Sequence, residues 1–280
     1  MDAAGVKDEP QTYKLTAVNF AEDSSNKIHD NDVARDYGFK GGLVPGIAVY
    51  AYMTHPVVER LGSDWMQRGT ITAKFIKPIY ADERVSIEIK QAGSGTNEFE
   101  IQAFNADRTL CAVGSAGVAG TGAEIPSVRD YPRRPLPAVE GRIQARAANL
   151  PPGTPLGTLD FSLAFEEHES KVLHYYLDKL PLYRGAEAAY HPAYLLEQAN
   201  QILMQNVSLG PWMHIQSAVQ NFSCPGVHDA LSIRGCVTSS YVKRGHEMVD
   251  LDLAIFDPLD RGITRVRHTA IIRLKSPVSE

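Results

Sequence analysis

Residues 45–78 read PGIAVYAYMTHPVVERLGSDWMQRGTITAKFIKP, and residues 192–225 read PAYLLEQANQILMQNVSLGPWMHIQSAVQNFSCP. Each stretch opens with a proline, continues as an apolar run of helical spacing, and passes through a tryptophan and a strand-like run to a second proline. Proline is well placed in the first turn of a helix, where a backbone N–H has no intrahelical partner. Each stretch therefore predicts an apolar helix that leads into a strand.

The tryptophans, Trp65 and Trp212, occupy the same position in their stretches. Each stands 20 residues after the first proline (65 − 45 and 212 − 192) and 13 residues before the second (78 − 65 and 225 − 212). Two spacings that agree around one residue type predict a duplicated structural unit.

Four segments that alternate apolar and polar residues follow each helix, with turn residues between them, as antiparallel strands do. They are 70–75, 84–90, 98–104 and 110–118 in the first half and 217–222, 230–239, 247–256 and 265–274 in the second. A helix that is apolar on most faces must be covered, and a curved antiparallel sheet can wrap it. We therefore predict an α+β protein with two curved antiparallel sheets, each wrapping a central apolar helix.

A proline-rich segment separates the two halves. Seven prolines fall between residues 126 and 155 without sustained periodicity, which predicts an extended connection lying mostly on the surface. We divide the chain into an N-terminal unit (12–122), a linker (123–155) and a C-terminal unit (156–280).

Composition and charge exclude several classes of protein. Hydrophobic residues make up 44% and charged residues 22% of the chain, as in globular proteins with a sizeable core. A net charge of −5 without a basic run disfavours nucleic acid and anionic membranes as partners. The three cysteines form no CxxC pair, which is typical of reduced thiols in the cytoplasm.

Neither the N-terminus nor the longest apolar run carries a targeting signal. Residues 1–10 are acidic and lack the basic-then-apolar order of a signal peptide. The longest apolar run, 43–53, contains Pro45 and Gly46 and is too short to span a bilayer. We expect a cytoplasmic protein that acts on a small molecule.

The sequence holds no GxSxG, P-loop or GxGxxG motif, so serine hydrolases, NTPases and dinucleotide-binding enzymes lack support. The nearest approach to a metal pair, Cys224 and His228, has no further ligands close by and is interpreted as a turn. We expect neither a metal nor a cofactor.

Residues 24–29, SSNKIH, end on a histidine in a stretch otherwise rich in turn residues. Histidine titrates near neutral pH and suits proton transfer, so His29 is the candidate base. Asn26 is the candidate that orients it or holds a water molecule.

A glycine-rich turn at 38–46 then leads into the first helix. The free N–H groups at a helix start, together with the helix dipole, stabilise developing negative charge. Pro45 has no N–H to donate, so the amides of Gly46 and Ile47 are the candidate oxyanion donors. Glycine at 46 also lets a ligand approach the backbone closely.

The layout and this motif resemble the MaoC-like (R)-specific enoyl-CoA hydratase/dehydratase family, double-hotdog type. In that family the segment Asp-x-Asn-Pro-[apolar]-His carries a catalytic Asp/His pair; here Asn26, Ile28 and His29 match, and Lys27 replaces the proline. Ala34, Gly38-Phe39 and Gly46 continue the family's pattern. The resemblance implies a lyase that hydrates or dehydrates an acyl thioester, such as an acyl-CoA, or a related small carbonyl compound.

The family's aspartate falls on Ser24, and the nearest acid, Asp23, stands one position earlier. Two alternatives remain open: a loop residue delivers Asp23 to the same place, or His29 acts without a carboxylate. The lysines 74 and 77 alternate with apolar residues before Pro78 and are candidates to meet the phosphates of a CoA-like carrier.

Two other functions remain open. Glu197 lies early in the apolar second helix, and hotdog thioesterases place a carboxylate on that helix, so hydrolysis by Glu197 is one alternative. A non-catalytic acyl-binding protein is the other. Hotdog units normally pair edge to edge, so we expect the two halves to pair within the chain, and exposed edges leave room for a homodimer.

Overall fold

The computed structural model describes residues 11–93, 96–120 and 122–275. The N-terminal segment 1–10, expected above to lack a signal peptide, and the last residues of the expected C-terminal unit lie outside the described residues. Among the described residues, none of the helices combines the length and the apolar character that crossing a membrane requires.

The first half contains five strands and two helices: β1 (Gln11–Thr16), α1 (Asn31–Asp36), α2 (Gly46–Arg68), β2 (Gly69–Phe75), β3 (Arg84–Gln91), β4 (Glu98–Phe104) and β5 (Leu110–Val118). The second half and the segment before it contain β6 (Ile143–Gln144), β7 (Pro155–Phe161), α3 (Phe165–His174), α4 (Pro192–Asn206), β8 (Val207–Ser208), β9 (Met213–Asn221), β10 (Leu231–Lys243), β11 (His246–Phe256) and β12 (Gly262–Arg273). Short 3-10 turns lie at Lys27–His29, Val139–Gly141, Ala147–Asn149 and Pro181–Tyr183.

Ten of the strands form one antiparallel sheet in the order β1-β3-β4-β5-β2-β9-β12-β11-β10-β7. Each half contributes five strands in the same topological order, with the strand after its central helix placed innermost. The predicted duplication is therefore visible in the sheet. The α+β class is confirmed, and the two predicted sheets meet as one continuous sheet.

The halves join where β2 pairs antiparallel with β9. The register places Thr70 opposite Gln220, Thr72 opposite Ala218 and Lys74 opposite Gln216. The pairing covers the two inner edges, and the outer edges belong to β1 and β7.

Helix α2 is enclosed by the sheet. It contacts all five strands of its own half as well as β9 and α4. Every residue from Ile47 to Val58 is buried, which explains why the helix is apolar on all faces rather than along one stripe. Gly62 adopts φ +58°, and this left-handed residue interrupts the helix before its last turns.

The proline-rich segment packs against the second half and is not an unpacked linker. The Thr158 N–H donates to the Arg134 carbonyl at 2.8 Å beside the outer strand β7. Strand β6 pairs in parallel with β8, and Leu150 is fully buried. The segment thus covers part of an edge that would otherwise offer unpaired backbone groups.

A buried carboxylate connects the central helices of the two halves. Asp178 has no exposed surface and accepts hydrogen bonds from Nδ1 of His55 on α2 (2.9 Å), from the Leu180 N–H (2.9 Å) and from Nε2 of His191 at the start of α4 (3.3 Å). Burial alone would raise the pKa of Asp178, but the hydrogen bonds from the two histidines outweigh it and hold the pKa well below its ordinary range.

Candidate active site

A cavity of about 200 Å³ opens at the N-terminal end of α2, between the two halves. The first half supplies the 26–29 turn, the start of α2 and the end of β2, and the second half supplies the start of β9 and one residue of α4. The lining is mostly apolar, with few polar groups: Asn26, His29, Lys77, Asn200 and His214 are the polar side chains, and Cys111 adds a thiol. Such a composition is typical of a site for a small organic molecule.

The first two amides of α2 are free. The N–H groups of Ala48 and Val49 both donate to the Pro45 carbonyl, whereas those of Gly46 and Ile47 have no acceptor among the described residues. These two donors lie at the positive end of a long helix dipole, at the cavity wall formed by Gly46.

The space beside the Gly46 Cα is tight. A Cβ at this position would lie 3.0 Å from the Phe75 ring and 3.3 Å from Nδ1 of His214. Any side chain would therefore push against the aromatic wall or fill the space beside the free amides.

The equivalent position in the second half is closed. Pro192 begins α4 and has no N–H, the Ala193 N–H donates to Nδ1 of His191, and the next two amides donate to the His191 carbonyl. Because every amide of that first turn is satisfied, α2 offers free amides to a ligand and α4 does not. This asymmetry agrees with the expectation that the first half carries the candidate site.

Local structure fixes the position of His29. It ends the 3-10 turn Lys27–His29, which the Asn26 side chain caps by accepting from the Ile28 N–H. Asp30 then caps α1 by accepting from two backbone N–H groups. The His29 carbonyl accepts from Asn19 Nδ2 at 2.8 Å. Gly42 packs against the same carbonyl so closely that a Cβ would lie 2.0 Å from its oxygen.

The hydrogen bonds of His29 define its tautomer. Nδ1 lies 2.7 Å from the Leu43 carbonyl oxygen, which can only accept, so the ring proton is on Nδ1 and Nε2 carries a lone pair. Burial lowers the pKa of His29, and the bond to Leu43 opposes this only in part. The ring is therefore neutral at pH 7 and able to accept a proton at Nε2.

Asn26 joins the His29 turn to the second half. Its Nδ2 donates to the Trp212 carbonyl at 3.0 Å, and its Oδ1 accepts from the Trp212 N–H at 3.2 Å. The second proton of Nδ2 faces Nε2 of His29 at a loose 3.4 Å. Asn26 therefore positions the base, and its weak contact leaves Nε2 accessible to a better donor.

The structure does not bring Asp23 to His29. Asp23 is exposed and does not line the cavity, and Ser24 points its hydroxyl at the Asn26 carbonyl (3.3 Å). No aspartate or glutamate is among the described residues that line the cavity. Of the two alternatives left open by the sequence, this geometry favours a histidine without a carboxylate.

The two candidate lysines differ in position. Lys77 is exposed at the cavity wall, where its ammonium group can meet an anionic part of a ligand that extends outward. Lys74 is exposed on β2 and does not line the cavity.

Glu197 lies in a different place, along an open groove of about 850 Å³. Its carboxylate is 3.2 Å from Nζ of Lys171 and accepts from the Tyr176 hydroxyl at 2.8 Å. A carboxylate on an apolar helix needs such partners when it is partly buried. Glu197 does not line the cavity that contains His29.

Sequence reasoning missed the contribution of the second half. Trp212, His214 and Asn200 line the cavity, and the spacing of the histidines alone gave no signal for this. The pairing of β2 with β9, which follows from the duplication, is what places the start of β9 beside the start of α2. Cys111 also lines the cavity, but burial raises the pKa of its thiol, which disfavours a reactive thiolate.

The described part of the chain contains no group of three or more histidine, cysteine, aspartate or glutamate side chains arranged to hold a metal ion.

No model of a known protein family matches the chain, and no curated protein sequence matches it. Solved structures do match over nearly its whole length. A MaoC-like dehydratase is 11% identical with a TM-score of 0.61, covering 94% of this chain and 97% of the other. A conserved hypothetical protein from Mycobacterium tuberculosis, described as having a double hotdog fold, is 11% identical with a TM-score of 0.60, covering 94% and 96%.

Similarity extends to proteins named for another reaction. An inferred oleoyl thioesterase from Lactobacillus plantarum is 12% identical with a TM-score of 0.53, covering 97% of this chain and all (100%) of the other. Identities this low establish the fold and leave the reaction to the site itself. The predicted architecture is confirmed: this chain has the double-hotdog fold, similar to that of MaoC-like dehydratases.

Proposed function

We propose that this protein is a hydratase/dehydratase acting on a short α,β-unsaturated or 3-hydroxyacyl thioester, with His29 as its base. One observation carries the proposal: His29, with the lone pair on its Nε2, and Gly46, with its free amide, line the same small, mostly apolar cavity. The free amide of Ile47 follows in the same helix turn. A proton acceptor beside an oxyanion site is what removal of a proton α to a carbonyl requires.

In the dehydration direction, His29 takes a proton from the α-carbon while the thioester oxygen gains negative charge. The amides of Gly46 and Ile47 donate to that oxygen. The imidazolium then gives its proton to the departing 3-hydroxyl, which leaves as water, and the carbon–carbon double bond forms. Hydration is the same sequence reversed.

One group must serve as both acid and base, because no carboxylate lines the cavity. His29 can do so because it is neutral before the reaction and holds the transferred proton only between the two transfers. The cost of the missing carboxylate is that nothing negative stabilises the imidazolium, so we expect a slower enzyme than one with an Asp/His pair.

The cavity size limits the acyl group. At about 200 Å³ the space is below the roughly 300–1,000 Å³ usual for drug-sized ligands, which favours an acyl chain of a few carbons. Lys77 at the cavity wall is positioned for a carrier that extends outward, and a CoA phosphate fits its charge.

Hydrolysis by Glu197 has weaker support. Its carboxylate is held by Lys171 and Tyr176, and it lies in a groove apart from the free helix amides. A carboxylate held by two partners is less free to act as a nucleophile or base in thioester cleavage.

The test follows the absorbance of the enoyl-thioester band of crotonyl-CoA and of longer enoyl-CoAs with wild type, His29→Gln and Glu197→Gln. We expect loss of the band with wild type and Glu197→Gln, fastest for the short chain, and at least a 100-fold slower loss with His29→Gln. A thiol reagent in parallel reports hydrolysis. Free CoA whose release depends on Glu197 would overturn the proposal, as would hydration that survives His29→Gln.

A further inference from the structure

His214 is a buried side chain at the cavity with one ring nitrogen unaccounted for. It is 9% exposed, lines the cavity, and its Nδ1 has no hydrogen-bond partner among the described residues. This nitrogen lies 3.3 Å from the point that a Cβ on Gly46 would occupy, next to the free amides of α2. An unpartnered polar atom in this position can be satisfied by a ligand in the cavity.

A β-bulge aims His214 at the cavity. Side chains three residues apart normally lie on opposite faces of a strand, so His214 and Ser217 should point apart. The β9–β12 register shifts between Gln216, which pairs with Thr269, and His214, which pairs with Ala270. The extra residue, Ile215, returns His214 to the face of Ser217, and bulges commonly re-aim side chains in this way beside active sites.

Ser217 connects His214 to a second buried histidine. The Ser217 hydroxyl is 2.8 Å from Nε2 of His214 and 3.0 Å from Nδ1 of His268 on the neighbouring strand. A hydroxyl has one proton and two lone pairs, so it can donate to one ring while it accepts an N–H from the other, which uses its proton as well. The proton positions on the two rings are therefore coupled.

Two arrangements of the ring protons let the Ser217 hydroxyl donate to one histidine and accept from the other. In one, His214 gives its Nε2–H to Ser217 and His268 is left with an N–H on Nε2, which is buried and unpartnered. In the other, His268 gives its Nδ1–H to Ser217, Ser217 donates to His214, and the free N–H is on Nδ1 of His214. Both arrangements leave one buried N–H and one buried acceptor without a protein partner among the described residues. The second arrangement places that N–H at the cavity, where a ligand can accept from it, and our inference takes this arrangement. There the unpaired proton is on the atom beside the cavity.

We propose that Nδ1–H of His214 is a third oxyanion donor, alongside the amides of Gly46 and Ile47, and that Ser217 and His268 hold it in the donating tautomer. The inference rests on the proposed function, because it assigns His214 to the thioester oxygen of that reaction. Each half of the protein then supplies one histidine: His29 moves the proton, and His214 binds the oxygen.

His214 stays neutral in this role. Burial and the neighbouring His268 lower the pKa of His214 well below its ordinary value, and burial lowers the pKa of His268 to about 3. A neutral imidazole donates one hydrogen bond without placing a charge in the core, and it gains no proton that would compete with His29 for catalysis.

The test uses two amide variants as a matched pair. In His214→Asn the amide falls where Nδ1 was, which keeps a donor at the cavity and loses the contact with Ser217. In His214→Gln the amide reaches the Nε2 position, which keeps the serine contact and removes the donor. We expect kcat on crotonyl-CoA to fall about 100-fold in His214→Gln, the cost of one lost oxyanion donor, and less than 10-fold in His214→Asn.

A spectroscopic readout separates oxygen binding from folding. In the unreactive His29→Gln background, 2,4-hexadienoyl-CoA bound with its carbonyl polarised absorbs at longer wavelength. We expect His214→Gln and Ser217→Ala each to reduce this shift, and Ser217→Thr, which keeps the hydroxyl, to restore it. These serine variants keep the test decisive if a His214 variant fails to fold.

The two proposals fail in different ways. If wild type does not hydrate crotonyl-CoA and the His29→Gln protein does not shift the probe band, the proposed function is wrong, and this inference with it. If wild type hydrates crotonyl-CoA while His214→Gln keeps its kcat and the full band shift, only the role of His214 is overturned.

Discussion

Two opposing influences act on the imidazole of His29. Burial favours the neutral ring, and the hydrogen bond to the Leu43 carbonyl favours the protonated one; burial is the larger, so the pKa is lowered. The same bond fixes the tautomer with the lone pair on Nε2. His29 is therefore neutral and can act as a base, rather than being permanently protonated.

The pH dependence of catalysis follows from this pKa. In the hydration of crotonyl-CoA only neutral His29 can take the proton of the attacking water. We therefore expect kcat/KM for crotonyl-CoA to be flat from pH 7 to 8.5 and to fall tenfold per unit at low pH. The midpoint of that fall should lie below 6.5, the ordinary value for histidine. A midpoint above 6.5 would mean that a nearby anion stabilises the imidazolium, contrary to the geometry.

The space beside Gly46 gives a second prediction at this scale. Gly46→Ala places a methyl group against Phe75 and Nδ1 of His214, where the substrate oxygen is proposed to bind. We expect kcat/KM to fall by at least about 100-fold, since a small misplacement of reacting groups is costly, with little change in unfolding free energy. Gly141→Ala, which meets open space, is the matched control and should keep full activity.

Sequence reasoning named His29, Asn26, Gly46 and Ile47; the first three line one cavity, Ile47 follows Gly46 in the helix, and their catalytic roles stay predictions. It succeeded there because the residues are close in the chain, and local rules for turns and helix starts apply. It did not find His214 for two reasons. The position of His214 depends on strand pairing between halves that are 147 residues apart (212 − 65), and a bulge at Ile215 turns its side chain to the opposite face of the strand from the one that simple alternation predicts.

Among the local elements, the short turn before α1 has the greatest consequence for the site. Asn26 caps this turn, and both ends of its amide also bind the Trp212 backbone in the other half. One side chain therefore sets the geometry of the turn and its distance from β9.

Asn26→Ala tests that link. The substitution leaves the buried N–H and carbonyl of Trp212 without protein partners, which costs about 1–3 kcal/mol of unfolding free energy. It also frees the His29 turn, so we expect kcat to fall 10- to 100-fold in the crotonyl-CoA assay. Asn105→Ala is the control: Asn105 accepts from two backbone N–H groups in the β4–β5 hairpin and does not line the cavity. This variant should lower the unfolding free energy and leave kcat unchanged. Equal activity in the two variants would contradict the link.

The helices and strands themselves were largely predictable. The apolar pattern that indicates α2 arises because the surrounding elements cover every face of that helix. Burial of Ile47–Val58 restricts these positions mainly to apolar residues. Strand β9 was expected to begin at residue 217 and begins at Met213. The four added residues include the bulge, where alternation breaks down, so a rule based on alternation could not include them.

At the scale of the whole molecule, the two halves share one strand order, but the first turns of their central helices differ. In α2 the first amides are free, and in α4 the side chain and carbonyl of His191 satisfy them. The ring of His191 in turn donates to Asp178, which also binds His55 from the other half. The position that forms the site in one half thus helps to join the halves in the other.

The buried histidines predict how the stability of the whole protein depends on pH. Burial lowers the pKa of His168 to about 4 and that of His268 to about 3, so both stay neutral in the folded protein near pH 5. The unfolded chain protonates them below about pH 6.5. Because the unfolded state then binds more protons, folding stability falls as the pH drops, by about 2 kcal/mol per histidine between pH 7 and 5.

Urea unfolding at pH 7.5 and 5.0 measures this loss. His191 and His214, whose pKa values are also lowered by burial, act in the same direction, whereas Asp178 stays charged throughout this range and adds nothing. His268→Asn removes one titrating group while keeping a polar atom for Ser217, so it should reduce the pH dependence by about one proton. His228→Asn, at an exposed histidine, should leave it unchanged. An unfolding free energy equal at the two pH values would mean that these histidines are protonated in the folded protein, with water or a rearranged core around them.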